Sequence, residues 1–213
     1  MKLRAFRHVL LSVVFAAGAA CACAAAPAAP VATVFNAKTG LSAGWSTVVW
    51  GDLTFEPSKT IAKGQGGVSL LITPTALAKP YAGLQIIAGD GAGLPLNETL
   101  RTTGEVHLLL RNGDDAAGKP AADQIVQIML AFQVDGGKPV NGQYEQVILD
   151  PAPADGKAAS GWQWVKLSVA KHLKGRAPAA APVKLQGVYV QYVEQPQASY
   201  YVGECLLINP SAK

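Results

Sequence analysis

The stretch GWQWVKLSV (161–169) alternates in a way that decides the fold class. In an extended strand successive side chains point to opposite faces, so Val165, Leu167 and Val169 form one apolar row. A half-buried strand normally carries polar residues on its other face. Here that face carries two indoles, which predicts a sheet with an aromatic outer surface. Its residues are Trp162, Trp164, Lys166 and Ser168.

Strand-like runs recur along most of the chain. The clearest is 124–134, in which aliphatic and polar residues alternate over eleven positions. Turn residues separate the runs at intervals typical of an antiparallel sandwich or barrel. We predict no long helix, only a short helical turn at 170–174. The other predicted strands cover 33–36, 44–55, 68–73, 84–88, 105–111, 144–149, 183–193 and 200–208.

The N-terminus has the form of a secretory signal peptide. A basic segment with Lys2, Arg4 and Arg7 precedes an apolar run over 9–20 and several Ala-x-Ala sites. The run is shorter than the roughly 20 apolar residues that span a bilayer. We therefore predict a signal peptide at 1–26 and an Ala/Pro linker at 27–32, in a protein exported to the periplasm or the extracellular space. The alternative is a lipoprotein, attached to the membrane through Cys21 or Cys23.

The charge balance bears on the binding partners, and the cysteine content bears on the disulfides that the protein can form. The chain has 18 Lys and Arg against 14 Asp and Glu, and loss of the three signal-peptide cations leaves 15 against 14. No basic run remains, so we expect no nucleic-acid partner. Cys205 is then the only cysteine, which precludes an intramolecular disulfide. Its apolar setting predicts a buried thiol.

The order of these segments resembles the galactose-binding-like jelly roll found in carbohydrate-binding modules of secreted bacterial proteins. The resemblance covers most of 33–209. It implies a single-domain, all-β, antiparallel jelly-roll β-sandwich with a carbohydrate partner, followed by a C-terminal tail at 210–213. The segments that carry it are VFNAKTGLSAGWSTVVWGD (34–52), WQWVKL (162–167), LQGVYVQYV (185–193) and YYVGECLLI (200–208).

Sugar binding to such a face uses aromatic rings that stack on the sugar and polar groups that bond its hydroxyls. Trp164 is our first candidate, because the strand pattern does not need an indole there; the alternative is that a loop or helix covers it. Trp162, Trp45 and Trp50 are assigned to packing. The remaining predicted ligand-binding residues, expected on the same face or else ordinary solvated positions, are Tyr189, Gln191, Gln127, Gln133, His107 and Arg111.

The resemblance also bears on metal binding. The family often has two adjacent acidic residues in its last strand, the first helping to hold a structural calcium ion, whereas this chain has Gly203 and Glu204. The acidic loop with Asp114, Asp115 and Asp123 matches no known calcium loop in its spacing. We predict no cofactor, and structural calcium stays open.

Catalytic motifs are missing from the sequence. There is no G-x-S-x-G or H-E-x-x-H motif, and only His107 and His172 follow the signal peptide. We expect a non-catalytic binding module for a polysaccharide or cell-envelope glycan. One alternative is a structural or assembly protein that binds another protein. The other is a glycan-active hydrolase or lyase, which would need ionisable groups converging in one cleft, such as the two carboxylates of a glycosidase.

Overall fold

The computed structural model describes residues 29–62, 65–151 and 160–211, which form two packed antiparallel sheets. The described chain is 54% strand and 6% helix, so the predicted all-β sandwich is confirmed. The predicted signal peptide at 1–26, with Cys21 and Cys23, lies outside the described residues.

Sheet A has β8 and β14 at its centre. Its hydrogen-bonded order is β12, β8, β14, β1, β2, and β14 also pairs with β5, which pairs in turn with β4. The strands are β1 (Pro30–Asn36), β2 (Gly40–Leu41), β4 (Leu53–Ser58), β5 (Ser69–Pro74), β8 (Glu105–Asp115), β12 (Trp162–Ser168) and β14 (Ala198–Ile208).

Sheet B has β9 and β13 at its centre. Its order is β10, β9, β13, β6, β3, with β11 also paired to β9 and β7 to β13. The strands are β3 (Trp45–Trp50), β6 (Gly83–Ala88), β7 (Leu94–Pro95), β9 (Gln124–Val134), β10 (Pro139–Asn141), β11 (Glu145–Leu149) and β13 (Val183–Tyr192).

The core lies between the sheets and is built from alternate residues of each strand. On β12 the alternation places Val165 and Leu167 inside, both buried, and leaves the indole of Trp164 outside, as predicted. Tyr192 and Tyr200 are buried with their rings 5.3 Å apart. Their hydroxyls donate to main-chain carbonyls, so neither buried polar group is left unsatisfied.

Two short helices pack against each other beside the sheets. The helix α2 (Val169–Leu173) corresponds to the predicted helical turn, and Ser168 caps it. The helix α1 (Glu98–Thr103) was not predicted; the Asn97 side chain accepts a hydrogen bond from Leu100 N at 2.9 Å and so caps its first turn. Among the described residues no helix has the length and apolarity needed to cross a bilayer.

Two predicted boundaries need correction. The strand β1 begins at Pro30, where Pro30 pairs with Ile208 and Ala32 with Leu207, so 30–32 belong to the sandwich and not to the linker. Main-chain pairing with β14 orders this segment despite its Ala/Pro composition. The strand β8 runs on to Asp115, past the predicted strand end at 111, because its end also pairs with β14.

Candidate functional site

The predicted ligand-binding residues do not share one face, and that expectation was wrong. Trp164, His107 and Arg111 lie on sheet A, because β12 pairs with β8. The other four lie on sheet B, whose outer face is on the opposite side of the sandwich. They are Gln127 and Gln133 on β9 and Tyr189 and Gln191 on β13.

On the outer face of sheet A, His107 and Trp164 pack against each other. Their ring centroids are 6.2 Å apart. His107 is buried, and its Nε2 lies 2.6 Å from Oε2 of Glu105. Trp164 is half-buried. The contact with His107 gives this indole a structural role.

The Arg111 side chain is also engaged by neighbouring groups of the protein. It is buried, its guanidinium carbon lies 5.2 Å from the centroid of the Tyr201 ring, and its Nε donates to the Ser160 carbonyl. The Trp162 ring lies 6.2 Å from the Tyr201 ring and packs so closely on Gly203 that a Cβ there would be 2.8 Å from the indole. The polar and aromatic groups of this face are therefore largely engaged with one another.

The outer face of sheet B is organised in three rows that run across its strands. Strand register defines the members of each row. We call the three together the row face. The first row is Trp50, Gly83, Gln191, Gln127 and Gln146; the second is Val48, Gln85, Tyr189 and Met129; the third is Ser46, Ile87, Gly187, Ala131 and Asn141.

Trp50 and Tyr189 are the aromatic centre of the row face. Their ring centroids are 6.1 Å apart with an interplanar angle of 60°. The Trp50 Nε1 donates to the Tyr81 carbonyl at 2.7 Å. A Cβ on Gly83 would lie 2.6 Å from Cζ2 of Trp50, so the indole lies over the glycine. Both rings are only half-buried and retain apolar surface for a ligand.

The Tyr189 ring is fixed by its neighbours. Nε2 of Gln85 donates to the Tyr189 hydroxyl at 2.7 Å. Burial raises the pKa of Tyr189, the Gln85 hydrogen bond opposes that shift, and the nearby Tyr144 adds to it. Beside the ring, Gly187 and Ala131 are buried although they point outward. Because their side chains are small, the sheet surface next to Tyr189 lies lower than the Tyr189 ring.

Free amide groups lie next to the rings. Gln191 is buried and Gln127 half-buried, and within the described residues neither side chain makes a hydrogen bond to another protein group. Neither amide is among the fully buried polar atoms, so both remain within reach of water or a ligand that can bond to them. Gln133 lies beyond the rows, where its Nε2 donates to the Gly137 carbonyl at 3.1 Å. The structure therefore brings together three predicted residues, Tyr189, Gln191 and Gln127.

No residue of the three rows is charged. Within the part of the chain that the structure describes, no group of three or more His, Cys, Asp and Glu side chains could hold a metal ion. In the acidic loop, Oδ1 of Asp115 accepts hydrogen bonds from the main-chain nitrogens of Ala117 and Lys119, which stabilises a turn. The expectation that Gly203 and Glu204 put a family-type structural calcium site in doubt stays a prediction.

Sequence reasoning missed Trp50 as a site residue. A usable signal was present, because Trp45 and Trp50 are five positions apart in one strand. An odd spacing puts two side chains on opposite faces. Trp45 is buried in the core, as predicted, and Trp50 is consequently on the outer face.

No protein-family model matches the sequence, and no curated protein is significantly similar to it. Solved structures do match. The C-terminal family 22 carbohydrate-binding module of Clostridium thermocellum Xyn10B is 17% identical with a TM-score of 0.52, over 88% of this chain and 99% of that one. A family 11 module from Clostridium thermocellum, solved with a β-1,3-1,4-mixed-linked tetrasaccharide, is 11% identical with a TM-score of 0.49, over 83% and 95%. The first likeness shows that this chain shares the β-sandwich fold of that module.

Proposed function

We propose that this protein is an exported, non-catalytic module that binds a neutral polysaccharide or cell-envelope glycan on the row face of sheet B. The observation that carries the proposal is the arrangement of Trp50 and Tyr189 beside the amides of Gln191 and Gln127. Half-buried rings offer a flat apolar surface to a sugar ring, and the amides offer donors and acceptors to its hydroxyls. The fold shared with carbohydrate-binding modules supports this assignment.

The absence of charge on the row face favours a neutral ligand. A polyanion such as a uronic acid polymer would have to leave water without a cationic partner in the rows, which disfavours its binding. The rows also contain no carboxylate, whereas glycoside hydrolysis ordinarily uses two. These facts support binding without catalysis on this face.

Export and location in the periplasm or outside the cell form part of the proposal. They rest on the predicted signal peptide at 1–26. Detection of the processed protein in periplasmic or culture fractions of its host would test this part independently of binding.

Affinity gel electrophoresis and isothermal titration calorimetry test the binding itself. The probes are soluble β-1,4-xylan, mixed-linked β-1,3-1,4-glucan and glucomannan, with polygalacturonate as the acidic comparison. We expect binding to at least one neutral polymer, a loss of about tenfold or more in affinity for Trp50→Ala and Tyr189→Ala, and no binding of polygalacturonate.

The matched control is Trp164→Ala, which removes the same side chain from the opposite face. Unchanged binding by this variant supports the row face. Loss of binding with Trp164→Ala and retention with Trp50→Ala would assign the ligand to sheet A and refute the proposal. No binding to any neutral polymer would also refute it.

A further inference from the structure

The segment between β10 and β11 lies in unusually close contact with α2. Gly142 N donates to the Leu130 carbonyl at 2.8 Å. A Cβ on Gly142 would lie 2.9 Å from the main-chain oxygens of Leu130 and His172 and 3.0 Å from the His172 Cβ. Only a residue without a side chain fits there, so β9 and α2 together set the path of this segment.

Glu145 fixes the other end of the segment. It pairs with Ile128, whose side chain is in the core, so Glu145 points away from the row face. Its Oε2 lies 2.8 Å from Nζ of Lys171 and 3.5 Å from Nε2 of His172. His172 is fully buried, and neither ring nitrogen has a hydrogen-bond partner in the described chain. The Lys171 ammonium therefore holds the carboxylate, and the buried His172 ring packs beside it.

Tyr144, the residue before Glu145, must point to the opposite side, which is the side of the row face. Its side chain is 54% exposed. Its phenol is near enough to Tyr189 to contribute to the raised pKa of that hydroxyl. Along the second row, Tyr144 therefore follows Met129 and extends the row towards the β11 edge.

We propose that Tyr144 is a further contact residue for the glycan, and that the cluster of Lys171, His172 and Glu145 positions it. This inference rests on the proposed function. Glu145 never touches the ligand; it acts through the path of the backbone that carries Tyr144. The cluster thereby links α2 to the binding surface on the other side of β11.

A thermodynamic cycle tests the inference, with titration calorimetry on the xylan, mixed-linked glucan and glucomannan probes. We expect Tyr144→Ala to weaken binding of the best probe by about three- to tenfold and Tyr144→Phe to retain most of the affinity. Glu145→Gln should weaken binding in the wild-type background and have no further effect in the Tyr144→Ala background, because its effect passes through Tyr144. Glu98→Gln on α1 is the matched control, since it removes the same charge from an exposed site.

The outcomes separate this inference from the proposed function. Loss of binding in Trp50→Ala with wild-type affinity in Tyr144→Ala would overturn the role of Tyr144 and leave the row face intact. An equal effect of Glu145→Gln in both backgrounds would overturn the positioning role. A wild-type protein that binds none of the neutral probes would refute the proposed function and this inference with it.

Discussion

The indole of Trp50 lies directly over Gly83, and the missing side chain of the glycine makes room for it. We predict that Gly83→Ala displaces the indole and Gln191 and weakens polysaccharide binding by about tenfold, because a Cβ would come within 2.6 Å of the ring and of the Gln191 Cβ. Gly66→Ala is the control, since a Cβ at Gly66 meets nothing within 4 Å. Calorimetric affinities of both variants check the prediction. Equal affinities would mean that the positions of the indole and of Gln191 do not matter for binding.

The side-chain amide of Gln163 makes two hydrogen bonds to main-chain groups that connect the two sheets. Its Nε2 donates to the Ile148 carbonyl and its Oε1 accepts from Asp150 N, both at 2.9 Å, which joins β12 of sheet A to β11 of sheet B. We predict that Gln163→Leu lowers the free energy of unfolding by about 1–2 kcal/mol, since both main-chain groups lose a partner. Urea unfolding measures this.

The comparison variant for Gln163 is Gln146→Leu, at an exposed residue of β11 whose side chain makes no hydrogen bond to other described residues. It should change the unfolding free energy by less than about 0.5 kcal/mol. A Gln163→Leu variant as stable as the wild type would show that water replaces the amide at no cost.

Stability should depend on pH through His172. Burial lowers its pKa from the ordinary value of 6.5, and the adjacent Glu145 carboxylate only partly opposes this. The unfolded chain therefore takes up a proton more readily than the folded one, so the free energy of unfolding falls as the pH drops below 6.5 towards the folded-state pKa.

Urea unfolding of wild type and His172→Gln between about pH 7.5 and 5.5 isolates this effect from other titrating groups. Among those is Glu204, whose pKa is raised by burial and only partly lowered by its hydrogen bond to Gln65. The variant should lose part of the pH dependence. Identical slopes for the two proteins would contradict the assignment.

Cys205 should be unreactive in the folded protein. It is completely buried, and burial raises the pKa of its thiol, so the reactive thiolate is suppressed. A chromogenic disulfide reagent added to the protein without Cys21 and Cys23 should label no thiol under native conditions. It should label one thiol per chain after unfolding in guanidinium chloride. Rapid labelling of the native protein would show that β14 opens locally.

The fold class could be predicted from the sequence because the alternation of apolar and polar residues along a strand is a local property. The rows of β12 and β9 could be read directly, and Val165, Leu167 and Ile128 are in the core as their spacing predicts. The start of β1 could not be read in the same way. Its pairing with Ile208 is a contact between the first and the last strand, and the local composition of 30–32 does not indicate it.

The site was predicted only in part for a related reason. Alternation separates inside from outside but does not say which of two sheets a strand joins. Trp164 and Tyr189 are both outward residues, yet β12 pairs with β8 and β13 pairs with β9 and β6. Whether an outward indole is free depends on neighbours distant in sequence, such as His107 for Trp164.

The lack of charge on the row face has a consequence for the surroundings in which the protein can work. Attraction between ions weakens as salt shortens the Debye length, whereas stacking and hydrogen bonds between neutral groups do not depend on it. A complex formed on Trp50, Tyr189 and Gln191 should therefore keep its affinity from dilute buffer to brine. Binding that does not depend on salt suits the proposed location outside the cell, where the cell does not control the ionic strength.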